Sequence, residues 1–312
     1  MKKIGLVDID VSHPKAFSAK IDELSLPMNY TGVVNYGFRE ADEVEAFAKS
    51  RGATAYKTIE EMVPHVDVGF VQSCNWDKHL DYAMPFIEAG KPVFIDKPMV
   101  GSVADVRRVR ELAKNGATIL GSSAMRYAPE IDAYLATLAA KGGKVLHIFV
   151  SCGIDEFNYG IHIGEIIGRI AGAPVATCRY CGKSEEIDGS YTETFYATFE
   201  NGIGATYAIC TPTFQTFEVS IISTKGSESF RLAPLDSYGA MLSGIANALE
   251  GKESPIVDVN TITDAILMML AGKLSRDKGG EVVGVADLPD DLGFDGAAFE
   301  KAYAAAAKKI YL

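Results

Sequence analysis

Apolar and polar positions along residues 1–122 fall into blocks that switch between two periods. Short runs at Ile4–Val7, Gly32–Tyr36, Ala53–Tyr56, Val66–Val71, Pro92–Ile95 and Ala117–Leu120 read as strands. Between them, Pro14–Leu24, Ala41–Ser50, Ile59–Val63 and Asp77–Ala89 carry helix-like patterns, several closed by a glycine. Ser12 or His13 stands near the first cap, with Pro14 in the first turn. A further helix opens at Ser102, with Val103, Val106, Val109 and Leu112 on one stripe and Asp105 completing a weak capping box. Strand–helix alternation with apolar strands predicts an α/β domain: a doubly wound, Rossmann-type parallel sheet covered on both faces. Such sheets bind ligands beyond the carboxyl ends of their strands. Topology therefore gathers Asp8–His13, Ser73–His79 and Asp96–Pro98 on one rim.

Beyond residue 122 the texture changes. Helix-like stretches at Tyr127–Ala140 and Phe157–Ala171 flank a strand at Val145–Cys152. Strand-like runs follow near Ala176–Gly182, Tyr191–Phe199, Ile203–Ile209, Phe217–Ser223 and Ser229–Leu232. Asn201-Gly202 is a hairpin signal, and Lys225-Gly226 marks a second turn. Helices are predicted at Tyr238–Leu249 and Ile262–Ser275, and Ala297–Ile310 closes an acidic, turn-rich tail. The second half is thus an α+β domain with an open, mostly antiparallel sheet. The division is 1–122, a dinucleotide-binding type of domain, and 123–312, a substrate and oligomerisation domain.

The net charge of −11 disfavours nucleic acid and anionic membrane as partners. No run of about 18 apolar residues spans a membrane, and the N-terminus lacks the features of a signal peptide, so a cytoplasmic location is expected. Five cysteines at irregular spacing fit reduced thiols. Cys178 and Cys181 have the spacing of a redox or zinc pair. On a strand, positions three apart face opposite sides, so they read as unrelated thiols.

Three residues stand out chemically. Lys97 follows a buried strand and precedes Pro98, which stiffens the backbone there. A lysine so placed polarises an oxygen or shuttles its proton; the plainer reading is a surface lysine. His162, in FNYGIHIGEII, has Glu165 about one helical turn on, where it could orient the ring; the plainer reading is a satisfied core histidine. His79, in QSCNWDKHLDYA, lies near a helix start with Asp77 as the expected cap. Trp76 reads as packing, with a sugar platform as the alternative.

Together these segments resemble the glucose–fructose oxidoreductase, inositol dehydrogenase and MocA family. AGKPVFIDKP resembles its Gly-Lys-(His/Pro)-Val-…-Glu-Lys-Pro segment, with Asp96 in place of glutamate. Asn158, Gly160, His162 and Glu165 resemble its Asp-x-Gly-x-His-x-x-Asp run. SAMRYAPEI, STKGSESFRL and ALEGKESPIV match later parts. The resemblance implies an NAD- or NADP-dependent oxidoreductase acting on a sugar, polyol or related small hydroxy compound. It implies that Lys97 contacts the reacting hydroxyl and His162 is the general acid/base. Ser73, Asn75, His79 and Asp96 would line the nicotinamide half, and Arg126, Asn158 and Tyr159 would face the substrate. A homodimer or homotetramer through the outer face of the second sheet is expected.

The chain departs from the family where glycines should follow the first strand: Asp8-Ile-Asp-Val-Ser-His stands there. Carboxylates at such a turn repel phosphate and fill the room it needs. Two readings follow. In the first, Asp8 or Asp10 points away, Ser12 and His13 cap the helix, Ser12 or a protonated His13 helps bind the phosphates, and Asp10, Ser12 and His13 belong to the cofactor site. Arg39 joins that site as a 2′-phosphate contact, against the plainer reading of an exposed arginine, and no metal is assigned. In the second, dinucleotide binding is lost and the rim serves lyase- or hydratase-type chemistry on a carbohydrate, with a divalent metal at Asp8, Asp10 and His13. A ligand sensor on the same scaffold is the non-enzymatic alternative. Asn158, in place of the usual acid, removes one proton acceptor.

Overall fold

The computed structural model describes residues 1–121 and 123–311, apart from the side chains of residues 234–236. Six strands, β1 (Lys2–Val7), β2 (Met28–Val34), β3 (Thr54–Ala55), β4 (Val68–Val71), β5 (Val93–Ile95) and β6 (Ile119–Leu120), form a parallel sheet. Its order is β3-β2-β1-β4-β5-β6, so the strand order reverses between β1 and β4. Successive strand residues divide between two apolar clusters, as the pleat requires. Ile4, Leu6, Val68, Phe70 and Phe94 join Phe17 and Ile21 of helix His13–Glu23 and Phe47 of helix Ala41–Arg51. Val7, Val71, Val93 and Ile95 join Leu80 and Phe86 of helix His79–Glu88 and Val106 of helix Val103–Lys114. Helices thus cover both faces, as the α/β reading predicts.

The second sheet has seven strands: β7 (Val145–Gly153), β8 (Val175–Lys183), β9 (Tyr191–Phe199), β10 (Gly204–Thr211), β11 (Phe217–Ser223), β12 (Gly226–Leu232) and β13 (Val283–Gly284). Its order is β12-β11-β7-β10-β9-β8-β13, antiparallel except for β7 beside β10. The hairpin at Asn201-Gly202 joins β9 to β10, with Gly202 at φ 83°. One face packs on helices Gly160–Ala171 and Val259–Asp277. The other leaves Phe149, Tyr196 and Ile222 exposed. Met241, Leu242 and Ile245 of helix Pro234–Leu249 reach back into the cluster that holds Phe17 and Ile21. The two halves therefore share apolar cores, and the rim of the parallel sheet faces the second half. No described helix is long and apolar enough to cross a membrane.

Three local differences from the sequence reading bear on the site. The cap before His79 is Asn75, whose Oδ1 accepts the Asp77 N–H at 3.0 Å. Asp77 instead accepts the N–H groups of Gly296 and Ala297, anchoring helix Gly296–Ala306 to the rim. That helix stops at Ala306 rather than Ile310, and residues 307–311 leave it in an extended course.

Candidate active site

The turn after β1 holds Asp8, Asp10 and His13 at the G-x-G-x-x-G spacing of a dinucleotide fingerprint. Asp8 keeps a glycine-like backbone at φ 65°. Its Oδ1 accepts the N–H groups of Tyr36 at 2.6 Å and Gly37 at 3.1 Å, just past β2. Asp10 turns the other way: Oδ2 accepts Cys74 N–H at 3.2 Å and the Ser73 hydroxyl at 3.4 Å, just past β4. The Asp10 carboxylate also fills the space over Gly37, where an added Cβ would lie 1.9 Å from Oδ1. Both acids are fully buried. Burial pushes the Asp8 carboxyl up to about 7, and the Asp10 charge adds to it. Burial raises Asp10 as well. The carboxylates thus tie the turn to the exits of β2 and β4.

His13 does not join them, so the Asp8–Asp10–His13 metal grouping is not formed. Its Nδ1 meets Asp96 Oδ2 at 2.6 Å, and its ring stacks on Phe17 at 5.3 Å. Asp10 instead lies with Cys74 and Glu300, their ligand atoms within 4.8 Å. Burial and the Asp10 charge keep Cys74 a protonated thiol.

Asp96 is buried at the end of β5, where Gln72 Nε2 and the Lys97 N–H also donate to it. Burial alone would raise its carboxyl, but His13 and the Lys97 charge bring it down to about 2. Lys97 projects into the gap between the two halves. Its Nζ donates to the backbone oxygen of Asn158 at 3.0 Å and to its Oδ1 at 2.9 Å. Asp155 holds that loop by accepting the Phe157 and Tyr159 N–H groups. Burial lowers the Lys97 pKa, while Asp96 and Asp155 oppose the shift. His162 lies in the first turn of helix Gly160–Ala171. Burial and the charges of Lys97 and His13 hold its pKa well below the ordinary histidine value, so the ring is neutral at neutral pH.

A cavity of about 180 Å³ brings together six of the residues singled out from sequence: Ser12, His13, Lys97, Asn158, Tyr159 and His162. Sequence reasoning missed Phe217, Tyr238 and Tyr303, which close its other sides. It also missed Ser123, whose hydroxyl meets His162 Nδ1 at 2.5 Å. The Glu165 carboxylate is held beside Ser123 and Arg126. It binds Ser123 N–H at 3.4 Å and Arg126 Nη1 at 2.9 Å. The path is Arg126 to Glu165 to Ser123 to His162, and Ser123 touches the ring.

The other residues named from sequence lie behind this cavity. Arg126 is buried in its pair with Glu165 and borders a separate cavity of about 290 Å³ beside Gly164 and Gly168. His79 is buried with its ring nitrogens against the carbonyls of Ser73 and Met99, at 2.9 and 3.1 Å. Burial lowers its pKa, although those carbonyls favour the charged ring. Ser73 and Asn75 are buried in the same brace, and Asn75 Nδ2 donates to Glu300. Trp76 packs against Phe157 and Phe299, with its N–H on the Phe294 carbonyl. Arg39 is not an exposed arginine. It is 8% exposed, and its guanidinium donates to the carbonyls of Asp10 and Lys308 and to Glu43. Each of its three nitrogens, Nε, Nη1 and Nη2, already donates to at least one of these acceptors. Cys178 is buried against Tyr207 and Cys181 is exposed, on opposite sides of β8.

A nicotinamide dinucleotide would meet two different ends here. At the reactive end the residues fit. The cavity presents Lys97 and His162, and helix His13–Glu23 begins beside it with no side-chain cap and no acid in its first turn, leaving backbone N–H groups for an anion. At the other end, past β2, Asn35 is bonded to Ile9, Gly37 and Arg39, and residues 307–311 lie across the rim.

The profile of an oxidoreductase family, described as having an NAD-binding Rossmann fold, matches residues 7–122. Trans-1,2-dihydrobenzene-1,2-diol dehydrogenase of Oryctolagus cuniculus is 31% identical over 122 residues, 38% of this chain and 36% of that protein. The match thus spans about a third of the relative's length. A myo-inositol dehydrogenase from Lactobacillus casei, solved with NAD(H) and myo-inositol, superposes with a TM-score of 0.74 at 14% identity, covering 91% of this chain and 96% of that one. A scyllo-inositol dehydrogenase from the same organism, solved with NAD(H) and scyllo-inositol, gives 0.73 at 16%, covering 92% and 100%. GenD2 from gentamicin A biosynthesis, solved with NAD, gives 0.76 at 14%, covering 91% and 96%. These likenesses establish the two-part fold. The Rossmann half, residues 7–122, matches the profile of the oxidoreductase family with an NAD-binding Rossmann fold, and the chain as a whole shares the two-part fold of these dehydrogenases.

Proposed function

We propose that this chain is an NAD(H)-dependent oxidoreductase acting on a small polyhydroxylated compound, a sugar or polyol, with Lys97 and His162 handling the proton. The observation that carries the reading is the shared cavity: a lysine fixed by two hydrogen bonds to Asn158 faces the same 180 Å³ space as a neutral histidine. A bound nicotinamide supplies hydride transfer, which the protein itself cannot perform. Ser12, His13 and the helix N-terminus behind them would hold its phosphate-proximal part.

The remaining chemistry belongs to side chains. The Lys97 ammonium donates to the oxygen of the reacting hydroxyl and stabilises it as it gains negative charge. Its lowered pKa makes it a better proton donor. His162, giving Nδ1–H to Ser123, keeps Nε2 as an acceptor for the hydroxyl proton; in the reverse direction it returns that proton. Asn158 orients Lys97, and Tyr159 and Phe217 give the cavity aromatic walls suited to the apolar faces of a sugar ring. Subunits are proposed to associate through the exposed face of the second sheet around Phe149 and Tyr196.

A second reading rests on the filled end of the crevice. Elimination or hydration of a carbohydrate needs only proton transfer, which the same cavity provides without a dinucleotide. Incubating the protein with inositols and hexoses, with and without NAD⁺ or NADP⁺, separates the two. Reduced nicotinamide formed with a polyol supports the first reading. Product formed only without coenzyme dependence supports the second.

A further inference from the structure

Residues 307–311 carry more specific contacts than a loose tail makes. Lys308 offers its carbonyl to Arg39 Nη1 at 2.7 Å, and the Ile310 N–H donates to Glu43 Oε1 at 3.0 Å. The Ile310 carbonyl accepts from Lys15 Nζ at 2.6 Å, and the Tyr311 hydroxyl donates to the Val11 carbonyl at 2.5 Å. Lys309 pairs with Asp42 at 2.5 Å. The Tyr311 ring meets the Phe47 ring edge-on at 5.6 Å, with the Arg39 guanidinium 5.9 Å from its centre.

The partners of this segment come from two places: the turn after β1 with the first turn of its helix (Val11, Lys15), and the loop and helix after β2 (Arg39, Asp42, Glu43, Phe47). In a doubly wound sheet these elements bracket the half of the crevice beyond the first two strands, where the adenosine of a dinucleotide lies. The segment offers that pocket an aromatic ring, a hydroxyl donor and an N–H donor facing a buried acid. An adenosine offers the same kinds of group: a flat ring and ribose hydroxyls that seek an acidic acceptor near the end of β2. Glu43, in the first turn of the helix after β2, is a buried acid, 2% exposed, whose Oε1 accepts the Ile310 N–H and Arg39 Nη1.

We propose that Lys308–Tyr311 is an intramolecular occupant of the adenosine half of the crevice, so that docking of this segment and binding of a dinucleotide exclude each other. The proposal rests on the dinucleotide reading above. Coenzyme binding then requires the segment to leave, and whatever holds or releases it sets the apparent coenzyme affinity. Helix Gly296–Ala306 need not move with it, since Asp77, Asn75 and Lys78 hold it independently.

The test uses the full chain and a double variant, Ile310→Pro with Tyr311→Ala, which removes the N–H to Glu43, the ring and the hydroxyl. These positions lie at the periphery, and a second variant, Lys309→Glu, loosens the segment by repulsion from Asp42 without touching its packing. NADH and NADPH are titrated by nicotinamide fluorescence, and hydrogen exchange is followed at the Ile310 amide. The expected result is at least about tenfold tighter NADH or NADPH binding by the double variant than by the parent, and a smaller, salt-sensitive gain for Lys309→Glu. Saturating coenzyme should also speed exchange at Ile310 in the parent. Equal affinities, with Ile310 still protected in the saturated parent, mean that segment and coenzyme share the crevice; the proposal then falls while the dinucleotide reading stands. A Lys309→Glu chain whose Ile310 amide exchanges freely, together with a double variant that binds neither coenzyme at millimolar concentration, overturns the proposal and the reading together.

Discussion

Asp8 offers a quantitative test of how the turn after β1 is built. It occupies φ 65°, a region where asparagine is as comfortable as aspartate. Oδ1 accepts two backbone N–H groups, while the buried Oδ2 has no hydrogen-bond partner among the described residues. Burial, with the Asp10 charge behind it, lifts the carboxyl from 3.8 to about 7, against the pull of the Tyr36 and Gly37 amides. Between those two values the unfolded chain carries an ionised Asp8 while the folded chain keeps the proton. The unfolded state then binds fewer protons, so stability falls as pH rises, by about 1.4 kcal/mol per pH unit. Over the window from 3.8 to about 7 the loss reaches about 4 kcal/mol, and it levels off above.

Asp8→Asn cannot ionise, and its side-chain oxygen still accepts both amides. The variant should match the parent within about 1 kcal/mol near pH 4 and exceed it by roughly 2–4 kcal/mol near pH 8. Urea unfolding followed by tryptophan fluorescence across that range measures both curves; Trp76, buried at 3% exposure, reports the packing of the rim. A variant less stable than the parent near pH 8, or one displaced equally at every pH, would refute the reasoning. Asp8 would then be an ionised anchor held by the two amides, and the repulsion between it and Asp10 would have to be relieved in some other way.

Other substitutions probe the cavity and its support. Lys97→Met should lower turnover by about 10²–10⁴-fold while leaving coenzyme affinity within a few-fold, as steady-state kinetics and a coenzyme titration would show. Ser123→Ala should reduce turnover roughly tenfold at little change in KM and alter the acid limb of the pH profile, with Ser123→Thr recovering most of the loss; an unchanged profile would detach Ser123 from His162. Arg126→Met removes the guanidinium paired with the buried Glu165 carboxylate and should cost about 3–5 kcal/mol by denaturant unfolding, whereas adding Glu165→Leu should restore most of it. A double variant as unstable as the single one would show that the pair matters for its shape rather than its charge.

What could be read from the sequence, and what could not, follows from the range of the interactions. The parallel sheet was legible because its strands are buried on both faces and the intervening helices carry a 3.6-residue stripe; Val103, Val106 and Val109 are all buried, as their spacing requires. The rim was legible from topology, which is why Ser12, His13 and Lys97 meet Asn158, Tyr159 and His162 in one cavity. The partners of those residues were not legible. His13 and Asp96 are 83 positions apart, Ser123 and His162 are 39 apart, and no local pattern joins them. Arg39 read as exposed because, besides Glu43 one helical turn on, its acceptors are backbone carbonyls, one of them 269 positions away, and carbonyls leave no trace in a side-chain sequence. The alanine-rich run 304–307 favours helix, yet the chain leaves the helix at Ala306, where contacts with Arg39 and Glu43, more than 260 positions distant, outweigh propensity.

The turn after β1 joins these two kinds of information. Its spacing is that of three glycines, and Asp8 retains the backbone angle the first glycine would supply, so the path of the chain is kept. What differs is the use of the space. Side chains at positions 8, 10 and 13 reach the exits of β2, β4 and β5, tying together the strands whose ends form the crevice. Carboxylates held this way face backbone N–H groups, not the crevice, so they do not by themselves forbid a phosphate at the start of helix His13–Glu23. The direct obstacle at the adenosine end is Lys308–Tyr311, held by a handful of polar contacts and one aromatic pair. A crevice closed by a short segment, rather than by its own floor, can be reopened without unfolding the domain.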